Sequence, residues 1–234
     1  MIGTLLNAAT VLVGGTVGLV FGARLPDRLR STVLAGLGLF TLAIGLRLFL
    51  ETQNPLYALG GLLIGGLLGE WWQVEDRLAS LGAKLEARFA GGQAAGSPFV
   101  RGFLTASLLF CVGPMTILGS IQDGLTGDYS LLAIKSVMDG FASLALASSL
   151  GLGVLFSIVV ILVYQGGLTL LAATAQSILT DAMVAEMTAV GGILLVGLAI
   201  SSLLEIKRIR AGNLLPALLV TPLLVWIVSL FAPK

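Results

Sequence analysis

Eight apolar runs, at about 4–22, 31–50, 55–72, 99–121, 131–150, 152–173, 188–204 and 214–231, take up most of this 234-residue chain. A bilayer core takes about 20 residues of helix, and each run reaches or approaches that length. The runs are continuous rather than alternating, which argues against the strands of a membrane barrel. Charged residues make up only 11% of the chain, against about 25% in globular proteins. The deficit extends from end to end, so one anchored soluble domain does not explain it. The fold class implied is an all-α membrane protein of about eight transmembrane helices.

The charges that remain lie mostly between the runs. Arg24, Arg28 and Arg30 follow the first, Arg77, Lys84, Arg88 and Arg101 follow the third, and Lys207, Arg208 and Arg210 follow the seventh. In an eight-span topology these loops share one side and carry ten of the 13 basic residues. The opposite loops, around Glu51, Asp123–Asp128 and Asp181–Glu186, carry none. Basic loops stay cytoplasmic, so both termini are expected on the periplasmic or extracellular face. The opening MIGTLLNAAT lacks a basic n-region and a clear cleavage site, and reads as an uncleaved first span.

Residues 1–234 form a single membrane domain with internal divisions. Residues 1–72 make a first three-helix half, 73–98 an amphipathic helix and linker, 99–150 a central helix pair, and 151–234 a second three-helix half. Within 73–90, Val74, Leu78, Leu81, Leu85 and Phe89 recur at helical spacing, opposite Glu75, Asp76, Arg77, Lys84, Glu86 and Arg88. That pattern predicts a helix lying on the cytoplasmic membrane surface or docking a partner. GGQAAGSP (91–98) reads as a linker.

Gly14, Gly18 and Gly22 share one helix face, as do Gly61, Gly65 and Gly69. Small residues four apart allow close helix approach, either inside the chain or in a homo-oligomer. A faint repeat relates Gly14-Gly15 to Gly166-Gly167 and, at the same offset, AIGL (43–46) to LVGL (195–198). NPLYAL (54–59) resembles NLLPAL (213–218) after a gap. Spans 1–3 and 6–8 would run in opposite directions, an inverted repeat of the transporter and channel type.

The fifth run carries Lys135 and Asp139, one turn apart. With the helix starting near Ser130, and Asp128 a candidate cap, Lys135 lies about 7 Å and Asp139 about 13 Å into the layer. A lysine at that depth can snorkel outward, whereas an aspartate near the midplane cannot. Their order is the unfavourable one for a helical pair, with the cation nearer the N-terminus. They are either an internal salt bridge fixing span packing or a polar site. In the fourth run, Gly113-Pro114 breaks the helix and leaves the carbonyl of Phe110 without its helical donor. Gln122, Asp123, Ser136, Gln165 and Asn7 are further candidate polar ligands.

There is no histidine, which removes the usual general base and most zinc ligands. The single cysteine, Cys111, permits no intrachain disulfide. Lys135 and Ser136 are adjacent and form a poor catalytic dyad. GLTGD (124–128) is not the motif of an intramembrane aspartyl protease, and QDGLTGD lacks calcium-loop spacing. No nucleotide loop is present. No enzymatic activity, cofactor or nucleic-acid partner is expected.

The segment GFLTASLLFCVGPMTILGSIQDGLTGDYSLLAIKSVMDGFAS (102–143) with GLGVLFSIVVILVYQG (151–166) resembles the bacterial YdfK/YqgA-type membrane proteins, a domain-of-unknown-function family. GTLLNAATVLVGGTVGLVFG (3–22) and GGLLIGGLLGE (60–70) are also similar, so the resemblance covers nearly the whole chain. It implies a multi-span bacterial inner-membrane protein and supplies no site residues. The residues themselves favour a small secondary transporter or channel for a small solute or ion. The alternative is a non-transporting scaffold, sensor or assembly factor that engages a partner through the 73–90 helix.

Overall fold

The computed structural model describes residues 1–22, 26–89, 97–111 and 114–231, except the side chains of Asp27, Arg30, Pro114 and Phe231. Gly113, Arg24, Lys234 and residues 91–96 of the expected linker lie outside the described residues. All described secondary structure is helical: α1 (Ile2–Gly22), α2 (Asp27–Phe49), α3 (Pro55–Trp72), α4 (Val74–Phe89), α5 (Pro98–Cys111), α6 (Pro114–Thr126), α7 (Ser130–Leu150), α8 (Gly153–Leu170), α9 (Ala172–Ile178), α10 (Asp181–Leu198) and α11 (Ala217–Phe231). A π-helical turn, Ala199–Leu203, extends α10, and a 3-10 turn, Ala211–Leu214, precedes α11.

Six helices are long and apolar enough to cross a membrane, or seven if α5 and α6 form one span. They are α1, α2, α7, α8, α10 and α11 with the short turns that extend the last two. The expected third span forms as α3 but is not among the six, because its glycines and the closing Glu70-Trp71-Trp72 dilute its apolar character. The expected fourth span is divided into α5 and α6, inclined by 61°.

Close contacts give the relative directions of the helices. Gly3 meets Leu132 and Gly22 meets Ser148, so α1 and α7 run parallel. Thr4 meets Thr169 and Gly15 meets Leu155, so α1 and α8 are antiparallel. Gly38 against Leu204 and Gly45 against Gly192 make α2 antiparallel to α10. Gly61 against Thr221 and Gly69 against Asn213 do the same for α3 and α11. These directions agree with crossings that alternate along the chain.

One end of the bundle gathers the basic loops. There Arg101 pairs with Glu205 (2.5 Å) and Arg210 with Glu70 (2.7 Å). The other end carries acidic groups. Asp123 accepts from the Gly3 amide (3.1 Å), and Glu186 accepts from the Thr52 hydroxyl (2.6 Å) and the Gln53 and Asn54 amides (2.8 and 2.9 Å). Glu186 thereby satisfies backbone donors at the start of α3 that no helical carbonyl can reach. Because α5 begins beside Glu205 and α6 reaches Asp123, the bent pair passes from end to end and does not turn back as a re-entrant loop.

The glycine stripes are filled from within the chain. A Cβ at Gly18 would stand 2.2 Å from the Leu144 carbonyl oxygen, one at Gly65 2.4 Å from Ala217 Cα, and one at Gly69 1.8 Å from the Asn213 carbonyl oxygen. Gly14, Gly18 and Gly22 serve α7, Gly61 and Gly65 serve α11, and Gly69 serves the 3-10 turn before it, so these faces make contacts within the chain.

Helix α4 forms as expected but is held against the protein. Gly82 packs on the Phe103 ring, and Phe89 stacks near Phe156 with centroids 5.3 Å apart. Glu86, expected on the polar face, is buried and accepts from the Ser97 hydroxyl (2.7 Å). Glu75 accepts from the Gly212 amide (3.0 Å), while its own amide donates to Asn213 Oδ1 (2.8 Å). Burial raises the Glu75 carboxyl above the ordinary range, against the lowering effect of the Gly212 amide and the nearby Arg208 and Arg210. Leu81 and Phe89 remain exposed, available to the membrane surface.

Replacing Gly65 by leucine forces a side chain into the Ala217 backbone. Overpacking of this kind costs about 1–3 kcal/mol, so Gly65→Leu is expected to lower the thermal midpoint in detergent. Gly36 has open space around the position a Cβ would take, with nothing within 4 Å. Gly36→Leu is therefore expected to leave the midpoint unchanged.

Candidate functional site

The first turn of α7 is organised by Asp128. Its Oδ1 accepts from the Ser130 amide (3.0 Å) and hydroxyl (2.6 Å), and its Oδ2 accepts from Gln122 Nε2 (2.8 Å). The Ser130 hydroxyl bond, more than the other two, holds the Asp128 carboxyl below the ordinary range. Asp128 thus satisfies the first amide of α7 from the position before its N-cap, which is Tyr129 and not Asp128 as expected. Gln122, expected as a membrane ligand, is spent on this exposed loop instead.

Lys135 and Asp139 follow at the sixth and tenth positions of α7. Both are buried, at 6% and 8% exposure, so the lysine does not snorkel to the surface. They form a direct ion pair through Asp139 Oδ2. The same oxygen accepts from Asn7 Nδ2 of α1 (3.0 Å). Asn7 Nδ2 also donates to Gln165 Oε1 of α8 (2.9 Å), and Gln165 Nε2 donates to Thr4 Oγ1 (3.3 Å). Thr4 lies 3.4 Å from the hydroxyl of Thr169, which donates to the Gln165 carbonyl (3.0 Å). A chain of polar side chains thus leads from Asp139 toward the acidic end. One residue beyond it, Asp123 binds the Gly3 amide and the Met1 amino group (2.8 Å).

On its other side the ion pair meets a cavity of about 450 Å³ between α2 and α7. Leu37, Phe40 and Ile44 line one wall, Met138 and Ala142 the other, with Leu109, Met115 and Leu195 deeper. Among the described residues, Thr41 and Thr116 are the only uncharged polar ones that line it. Phe40, Met138 and Phe141 are exposed at the mouth. The pair therefore stands between an apolar cleft and a polar seam.

Of the residues expected from sequence, Lys135, Asp139, Asn7 and Gln165 come together, and Asp123 lies at the outer end of their seam. Ser136 is buried but donates to the Leu132 carbonyl of its own helix (2.6 Å), away from this network. The Phe110 carbonyl was expected to be free. It accepts from the Thr116 hydroxyl (3.2 Å), because the helix resumes soon enough to supply a donor. Gly113 lies outside the described residues. Sequence reasoning missed Thr4 and Thr169. The signal was present, since Thr4 and Asn7 are three apart and Gln165 and Thr169 four apart, each pair on one helix face.

Fold and centre together define a multi-pass helical membrane protein with a lysine–aspartate pair buried between its helices. Residues 2–226 match the family described as a protein of unknown function, DUF554, and the chain belongs to that family. It is 31% identical to the uncharacterized membrane protein YdfK of Bacillus subtilis (strain 168), over 99% of this chain and 98% of that one. It is 34% identical to the uncharacterized protein YqgA of Escherichia coli (strain K12), over 94% of each. No solved structure matches the chain.

Removing one member of a buried ion pair strands the other and costs about 3–5 kcal/mol. Lys135→Met is therefore expected to lower the thermal midpoint sharply. Lys135→Met/Asp139→Asn, which is neutral and keeps an acceptor for Asn7, is expected to recover most of the loss.

Proposed function

We propose that this protein is a small secondary transporter or channel for a small solute or ion across the bacterial inner membrane, and not an enzyme. The observation that carries the reading is the Lys135–Asp139 pair, held at mid-helix between a cavity and a polar seam. Ionisable groups at this depth mark ion and proton pathways. Asp139 is the group for a cation or proton, and Lys135 the group for an anion. Asn7 and Gln165 orient the aspartate and extend polar contact toward the acidic end.

The path lies between the two halves of the chain. Its cleft takes one wall from α2 of the first half and a floor residue from α10 of the second. The antiparallel pairing of α1 with α8, α2 with α10 and α3 with α11 supports an inverted repeat, since each helix lies against its proposed counterpart. The basic end faces the cytoplasm and the acidic end, with both termini, faces outward, by the distribution of Arg and Lys among the loops. α3 is then an eighth crossing, shielded along one face by α11.

The test is proton flux in proteoliposomes loaded with a pH-sensitive dye and given a pH step. Wild type is expected to conduct, and the neutral variant Lys135→Met/Asp139→Asn, which strands no charge, to lose at least ten-fold in rate while remaining folded. Equal flux from this folded variant and wild type would remove Asp139 from the path.

A further inference from the structure

The cleft and the unused bonding capacity of the ion pair point to a substrate class. Lys135 Nζ has three N–H donors, and among the described residues its partner is Asp139 alone. Asp139 takes both of its bonds on Oδ2, from Lys135 and Asn7, which leaves Oδ1 without a donor among the described residues. Lys135 and Asp139 both line the apolar cleft, one with donor capacity and one with acceptor capacity to spare. Unsatisfied polar groups in such a setting are costly.

We infer that the α2–α7 cleft binds a single-chain aliphatic carboxylic acid, its carboxyl group set between Lys135 and Asp139 and its chain along the apolar walls. This rests on the reading of the pair as a functional site and names what that site takes. The carboxyl carbonyl accepts from Lys135 Nζ, and its O–H donates to Asp139 Oδ1. The match is two-point, because a carboxylic acid offers one acceptor and one donor on adjacent atoms. The volume of about 450 Å³ lies within the range of about 300–1,000 Å³ for small-molecule sites. Entry is from the bilayer, since the mouth is formed by the exposed side chains of Phe40, Met138 and Phe141.

Charge balance sets the stoichiometry. Lys135 and Asp139 are neutral as a pair, and a lone anion added to a low-dielectric site is strongly disfavoured. The ligand therefore binds as the neutral acid, or equivalently as carboxylate together with one proton on Asp139. The surroundings supply no other counter-charge among the described residues. Cys111 of α5 is the other titratable group that senses the pair. α1, α8, α2 and α10 contribute Asn7, Gln165, Thr41 and Leu195, none of them ionisable.

The experiment is calorimetric titration of the purified full-length protein with decanoate at pH 8, in buffers of different ionisation enthalpy, with decanol as the uncharged control. The expected result is saturable binding with uptake of one proton per ligand. Lys135→Met/Asp139→Asn, the folded neutral variant, is expected to bind about ten- to hundredfold more weakly. Ala142→Phe, which narrows the cleft without touching the pair, is also expected to weaken binding. A decanoate-induced rise in thermal midpoint in wild type, absent in both variants, gives a second readout. Decanol binding as tightly as decanoate, binding without proton uptake, or no binding would each overturn the inference. Equal binding to decanol would mark the cleft as a seat for lipid tails. Asp139-dependent proton flux with no decanoate binding would sink this inference and leave the transport reading standing.

Discussion

Glycines in α1 let that helix lie backbone to backbone on α7, and the placement of the polar centre follows from this contact. Gly14 and Gly18 face the carbonyl oxygens of Gly140 and Leu144, at separations no side chain could share. The approach brings Asn7 within hydrogen-bond distance of Asp139. Because α8 lies antiparallel on α1, Gln165 and Thr169 complete the seam. Lipid tails give helices no hydrophobic reason to associate, so close packing and interhelical hydrogen bonds must hold them. Here the same helix faces provide both.

The ion pair depends on that seam. A single charge at a helix centre costs about 2.5–3.5 kcal/mol on insertion scales, and two must be accommodated. Their sequence order opposes the helix dipole, so local helix stability gives no reason for them. Mutual neutralisation and the Asn7 amide offset the burial. Even so, two Lys135 N–H groups and Asp139 Oδ1 have no partner among the described residues. A purely structural bridge would be expected to use them, and a binding site keeps them free.

Much of the fold was legible because membrane helices announce themselves by length and apolarity. Asn7, Lys135, Asp139 and Gln165 were legible for the related reason that polar residues are rare in such helices. Tertiary partners were not. Gly14, Gly18 and Gly22 mark a close contact without naming what fills it, and α7 does so. Gln122 and Ser136 are polar residues at suitable depths, yet a loop carboxylate and a helical carbonyl, respectively, satisfy them first. The Phe110 carbonyl shows the same limit, since Thr116 supplies the bond that the Gly113-Pro114 step removes. The burial of Glu86 and Glu186 was hidden too, because each is satisfied by donors from the loop beside it.

The central claim is that Lys135 and Asp139 form a buried pair inside the membrane. It is tested most directly by nitrogen–carbon recoupling NMR in lipid bilayers, with the Lys135 side-chain nitrogen and the Asp139 carboxyl carbon labelled. A strong dipolar coupling, with the lysine nitrogen shielded from a water-soluble relaxation agent, is the predicted result. Absent coupling, together with fast relaxation of that nitrogen at the membrane surface, would show a snorkelled lysine and contradict the account.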